Sequence, residues 1–251
     1  MLPLQTETLT VMMNAFRRME GSIAPPQKVA HEGSFVHRYI NKDIHSALIQ
    51  KLARVISGLN AIVVLLNEGH VQEVGVLFRT LDEIQEDIFF LATAETNGAH
   101  TERHTKYLDA FYADSIFARV KGSLDIPKPD LVPRKKIRAH TLNALGDGVN
   151  VSHALTAMES VGTAYSGFVH AASENIMDMY GGDPSHFHLC GMLDTPRMQS
   201  YEKDAVNYFY RSLMATIVVA KAFGDGPLAK TLYEFLAIYE KANGLTPPKG
   251  S

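Results

Sequence analysis

Residues 41–94 read NKDIHSALIQKLARVISGLNAIVVLLNEGHVQEVGVLFRTLDEIQEDIFFLATA. Leu48, Leu52, Val55, Ile56, Leu59, Ile62, Val63 and Leu66 recur at steps of three and four, which puts them on one face of a helix over 41–68. Gly69 fits the end of that helix. The period then resumes over 71–94 with Val74, Leu77, Leu81, Ile84, Ile88 and Leu91. A break this short predicts two antiparallel helices packed as a hairpin.

Working outward, proline punctuates the rest of the chain, because it is tolerated at helix starts and in connections but breaks helix interiors. The proline-free stretches predict helices over 7–18, 102–121, 134–145, 151–179, 196–223 and 227–242. Residues 122–133 and 180–193 read as irregular connections, and Pro25-Pro26 sits in a connector. No alternating strand pattern with a hairpin turn stands out. The expected fold is all-α, a single-domain antiparallel bundle of about seven or eight helices. Its parts are an N-terminal helix and connector over 1–40, a core over 41–243 and a frayed tail over 244–251.

Composition narrows the function classes. Apolar residues make up 46% of the 251 and charged residues 20%, enough for a buried core. The net charge of −3 offers no bulk attraction for nucleic acid or an anionic membrane. The one dense basic run, Arg134, Lys135, Lys136 and Arg138, reads as a solvated first turn. Cys190 is the single cysteine, so no internal disulfide is expected, and it reads as a small packing residue rather than a nucleophile. With no basic, apolar leader at the start and no uninterrupted apolar span, the expected address is the cytoplasm, away from membrane.

Phosphate loops, nucleophile elbows and paired C-x-x-C motifs are missing from the sequence. His100 with His104 and His186 with His188 have metal-like spacing, but neither pair has a third ligand nearby, so no metal or other cofactor is expected. Two polar stripes carry more interest. At about 100° per residue, Arg79, Glu83 and Glu86 align along one helix, with Gln72 ahead of them. Glu159, Thr163, Ser166, His170 and Glu174 align along another, opposite Tyr165 and Phe168. Either both stripes face water or they meet across a groove, where Arg79 pairs with Glu83 and His170 stands beside Ser166.

The segment Leu77-Phe78-Arg79-Thr80-Leu81-Asp82-Glu83, with Tyr165-Ser166-Gly167-Phe168-Val169-His170, resembles a bacterial family of helical domains of unknown function. That family is marked by an R-x-x-x-E helix and by a tyrosine and serine ahead of a histidine. It is similar in outline to HEPN domains, many of which are metal-independent ribonucleases that dimerise around their active groove. The resemblance spans roughly 44–174 and implies a homodimer, RNA as substrate, and Arg79, Glu83, Ser166 and His170 as the site. The chain departs from HEPN ribonucleases in one respect. Thr163, Ala164 and Tyr165 stand where they place an arginine ahead of the histidine; Arg38 and His45 have the spacing but elsewhere. Arg79 would have to substitute from the neighbouring helix.

Two readings result. The favoured one is a non-catalytic helical module that binds a protein partner or an apolar ligand, with Arg79–Glu83 and Ser166–His170 as structural pairs. The other is a HEPN-like ribonuclease in which His170 does acid–base work and Arg79 stabilises phosphate charge.

Overall fold

The computed structural model describes residues 3–31, 33–113, 130–144 and 164–245. Helix α1 is Pro3–Glu20, followed by an antiparallel hairpin of β1 (Gln27–His31) and β2 (Ser34–Arg38). Then come α2 (Ile44–Asn67), α3 (Val71–Asn97), α4 (Glu102–Phe111) and α5 (Arg134–Ala144). Residues 164–169 are helical, and α6 (Ser173–Met177) is a single short turn. A two-residue ladder, β3 (Tyr180–Gly181) with β4 (His186–Phe187), precedes α7 (Pro196–Ala222) and α8 (Gly226–Asn243). The fold is all-α, as expected.

Asp43 starts α2 by accepting the Ser46 N–H at 2.8 Å, which satisfies one of the first turn's free donors. Gly69, at φ 74°, ends the connection to α3. A Cβ there would lie 2.6 Å from the Met192 nitrogen, and the Met192 N–H donates to the Gly69 carbonyl at 2.8 Å. The left-handed conformation and the close approach both require glycine.

Helix α3 is the centre of the molecule, packed by α2, α5 and α7, with α1 across α2 and α7 and α8 against α7. Leu48, Leu52, Leu59 and Ile62 of α2, Val74, Phe78, Leu81 and Ile88 of α3, and Phe209, Leu213 and Ile217 of α7 are all buried. At about 25 cal/mol per Å² of apolar surface, this common core is the main stabilising term. Among the described residues, α2 is the one helix long and apolar enough to cross a membrane, with half of its most apolar window buried in the bundle.

Several expectations are corrected. The 1–40 connector contains a β-hairpin, short and mostly exposed, in which Val29 pairs with Val36 while polar residues such as Gln27 and Arg38 pair beside them. Helix α4 stops at Phe111, and the expected helix's part over 114–121 lies outside the described residues. The helix expected over 151–179 breaks after Val169, where Ala171 takes φ 50° before α6 begins; its part over 151–163, with Glu159 and Thr163, lies outside the described residues. The irregular 180–193 stretch holds the β3–β4 ladder.

Candidate binding cleft and the predicted site residues

The basic run ahead of Ala144 is no solvated turn. Arg138 is 7% exposed and donates from Nε to Glu86 at 2.7 Å. Arg134 donates to the Asp87 carboxylate and, from Nη2, to the Glu83 carbonyl at 2.6 Å. Helix α5 therefore covers the polar stripe of α3. The physical reason is charge complementarity: three carboxylates on one side of α3 meet two guanidinium groups spaced one turn apart on α5. Lysines 135 and 136, on the other side of α5, are exposed as expected.

Lys51 completes the cluster from α2. Its Nζ lies 2.8 Å from Asp87 Oδ2, 4.7 Å from the Phe111 ring centre and 5.3 Å from that of Tyr107. Burial lowers the Lys51 pKa, with Asp87 opposing the shift. Burial raises the Glu86 pKa, with Arg138 and Arg134 opposing. Burial and the neighbouring Asp87 charge both raise the Tyr107 pKa, so its phenol stays protonated at neutral pH. Beside this cluster opens a cleft of about 470 Å³ whose lining includes Glu83, Asp87, Tyr107, Phe111, Val132, Arg134 and Ile137, with the exposed Leu131. Tyr107 and Phe111 stack at 6.4 Å, one turn apart on α4.

A second polar cluster joins α3 to α7. Asp82 accepts from the Tyr208 hydroxyl at 3.0 Å and from Arg211 at 2.6 Å, and Gln85 donates to Ser212 at 2.8 Å. Phe78 stacks on Tyr208 at 4.0 Å and meets Tyr165 edge-on at 5.3 Å. The Tyr165 hydroxyl donates to Asp204 at 2.7 Å. These contacts are apolar stacking and side-chain hydrogen bonds, the pattern of a packed interior, with the Gln85 Oε1 alone among them buried without a partner.

Arg79 and Glu83 do pair, at 2.6 Å, with the arginine side chain 21% and the glutamate 46% exposed. Ser166 is partly buried and His170 exposed; the His170 N–H donates to the Ser166 carbonyl at 3.2 Å. Gly75 of α3 packs directly beneath the Phe168 ring, and Gln72 donates to the Asn175 carbonyl at 2.7 Å. The 164–169 segment thus meets α3 through Tyr165 and Phe168. Ser166 and His170 stand some 160–200° around that helix from Phe168. Among the described residues, no hydrogen bond or ion pair joins Arg79 or Glu83 to Ser166 or His170.

The histidine pairs have other work. His104 Nδ1 accepts the Thr101 N–H at 3.0 Å and caps α4, while its ring stacks on Phe90 at 4.2 Å. His100 faces Glu95 at 3.0 Å. His186 lies 2.8 Å from the Pro184 carbonyl, its ring 4.5 Å from that of His188. Among the described residues no group of three histidine, cysteine or acidic side chains is placed to hold a metal ion. Cys190 is exposed, not packed as expected.

Lys51, Asp87, Tyr107 and Arg134 escaped the reading of motifs. One signal was present: Lys51 falls between Leu48 and Leu52 on the apolar face of α2, where a lone charge needs a buried partner. These features define an all-α protein with a mixed apolar and charged cleft on its central helix. No protein-family model matches the chain, and no curated protein or solved structure matches it.

Proposed function

We propose that this chain is a non-catalytic helical binding module whose ligand occupies the cleft between α3, α4 and α5. The observation that carries this reading is the composition of the cleft. Aromatic and aliphatic side chains form most of its wall, and Lys51, Asp87 and Arg134 at its charged side are paired with one another. Catalytic acids and bases need a group free to exchange a proton with substrate. Lys51, Asp87 and Arg134 are each committed to ion pairs. An opening of this size with few convergent polar groups suits a small apolar or amphipathic ligand.

The ribonuclease reading needs His170 and Arg79 on one groove. It is supported less well, because Tyr165 and Phe168 occupy the side of their helix that meets α3. Incubation with mixed RNA, against a His170→Ala variant, decides it: cleavage above the variant's level would restore that reading.

The binding reading is tested by methyl NMR with benzyl alcohol as a neutral aromatic probe. Shifts at the methyls of Leu131, Val132 and Ile137, reduced by Phe111→Ala, are expected. Unmoved methyls at millimolar probe would dispose of the cleft as a ligand site.

A further inference from the structure

Helix α4 is anchored by a titratable side chain. His104 is the one residue of α4 that is fully buried, at 1% exposed, while Tyr107, Leu108 and Phe111 are half-buried. Its ring stacks on Phe90 of α3 at 4.2 Å and meets His140 of α5 edge-on at 4.7 Å. Its Nδ1 accepts the Thr101 N–H at 3.0 Å. Thr101-Glu102-Arg103-His104 is thus a capping box with histidine where glutamate or glutamine is usual. A ring nitrogen accepts a hydrogen bond only while unprotonated, so the cap requires neutral His104. Protonation sets Nδ1–H against the Thr101 N–H, donor against donor. The Thr101 hydroxyl, also 3.0 Å from Nδ1, can turn to accept, but the backbone N–H cannot.

The surroundings do not compensate the cation. His140 faces the ring from α5, with Arg103 close enough to lower its pKa, and His100 faces it from the chain entering α4. From α3, Glu95 pairs with His100 at 3.0 Å, and Asp87 pairs with Lys51 of α2 at the Tyr107 and Phe111 end of the helix. Among the described residues no carboxylate forms an ion pair with His104. The Phe90 and Thr101 backbones favour its charged form, but burial and the two neighbouring histidines outweigh them. A helix with a single fully buried side chain also opens at a lower free energy than the core it packs on. We infer that α4 is a proton-released gate: protonation of His104 frees it from α3 and α5 while the core of α2, α3 and α7 stays folded, which withdraws the Tyr107 and Phe111 wall from the cleft. The gate is a property of α4 and holds whether or not the cleft takes a ligand.

Amide hydrogen exchange of the full chain, corrected for the intrinsic pH dependence of exchange, tests this. At pH 7 the amides over 102–111 should be less protected than those of α7, because α4 opens alone. Between pH 7 and 5 their protection should fall about twentyfold, the factor for a histidine that titrates near 6.5 when released and at about 4 when docked. His104→Gln keeps the capping box without a titrating ring, and His104→Phe keeps the stack on Phe90. In either variant the fall should shrink to about threefold or less. A fall under about fivefold in the unaltered chain overturns the inference. So does a fall as large in either variant as in the unaltered chain, or protection over 102–111 equal to that of α7 at both pH values.

Discussion

The Lys51 ammonium lies 2.8 Å from the Asp87 carboxylate, with each side chain about one-tenth exposed. Asp87 also holds Arg134, so one carboxylate ties α2 and α5 to the central helix. Asp87→Ala leaves two cations without that partner and should cost about 3–5 kcal/mol, the scale of a broken buried pair. Adding Lys51→Met should recover part of the loss, because the stranded ammonium is gone. Urea unfolding midpoints of the two variants check this; a loss under about 1 kcal/mol in Asp87→Ala would contradict a structural role for the pair.

Arg138 does the same for Glu86 at 2.7 Å, with both side chains under one-tenth exposed. Arg138→Leu should cost about 3 kcal/mol at pH 7.5. Burial already raises the Glu86 pKa, and losing Arg138 raises it further. The folded state of the variant then binds a proton more readily than the unfolded chain, so its deficit relative to the unaltered chain should shrink as pH falls toward 5. Pairing Arg138→Leu with Glu86→Gln should remove that pH dependence. A deficit equal at both pH values would count against a stranded carboxylate.

Gly75→Ala is expected to destabilise despite alanine's better helix propensity. Its Cβ would sit 2.7–2.9 Å from three atoms of the Phe168 ring. Overpacking of this kind costs about 1–3 kcal/mol, against about 1 kcal/mol gained by the helix. Thermal melting should show a lower midpoint, restored in part by Phe168→Leu. A raised midpoint in Gly75→Ala alone would mean that the 164–169 segment yields freely.

His104 should make stability fall in acid. Burial, then the neighbouring His140 and His100, lowers its pKa to about 4. The unfolded chain, with an ordinary histidine, takes up a proton near pH 6.5 that the folded chain refuses until about 4. Stability is therefore complete above about 6.5 and declines through that window, by up to about 3 kcal/mol. His140, also lowered by burial and by Arg103, adds in the same direction. In His104→Phe, which keeps the stack on Phe90, unfolding free energies between pH 4 and 7 should vary less. An unaltered slope would remove His104 as its source.

The helices were legible because their signals are local. The 3.6-residue period of α2 and α3, the glycine between them and the proline at the head of α7 each act within a few residues. The β1–β2 hairpin was not legible, since its five-residue strands have little apolar alternation. The Arg79–Glu83 pair was readable from its i,i+4 spacing and forms. What Glu83, Glu86 and Asp87 face was not readable, because their partners on α5 lie about fifty residues away with no spacing rule to connect them.

By itself the sequence determined an all-α chain, the α2–α3 hairpin and the positions of its polar stripes, because helix period and chain breakers are properties of neighbouring residues. The tertiary structure alone decided that α5 lies over the α3 stripe, that Lys51 reaches Asp87, and that Phe168 faces α3 while His170 faces water. Those outcomes depend on which assembly of helices buries the most apolar surface while pairing every buried charge, a condition on the whole chain at once.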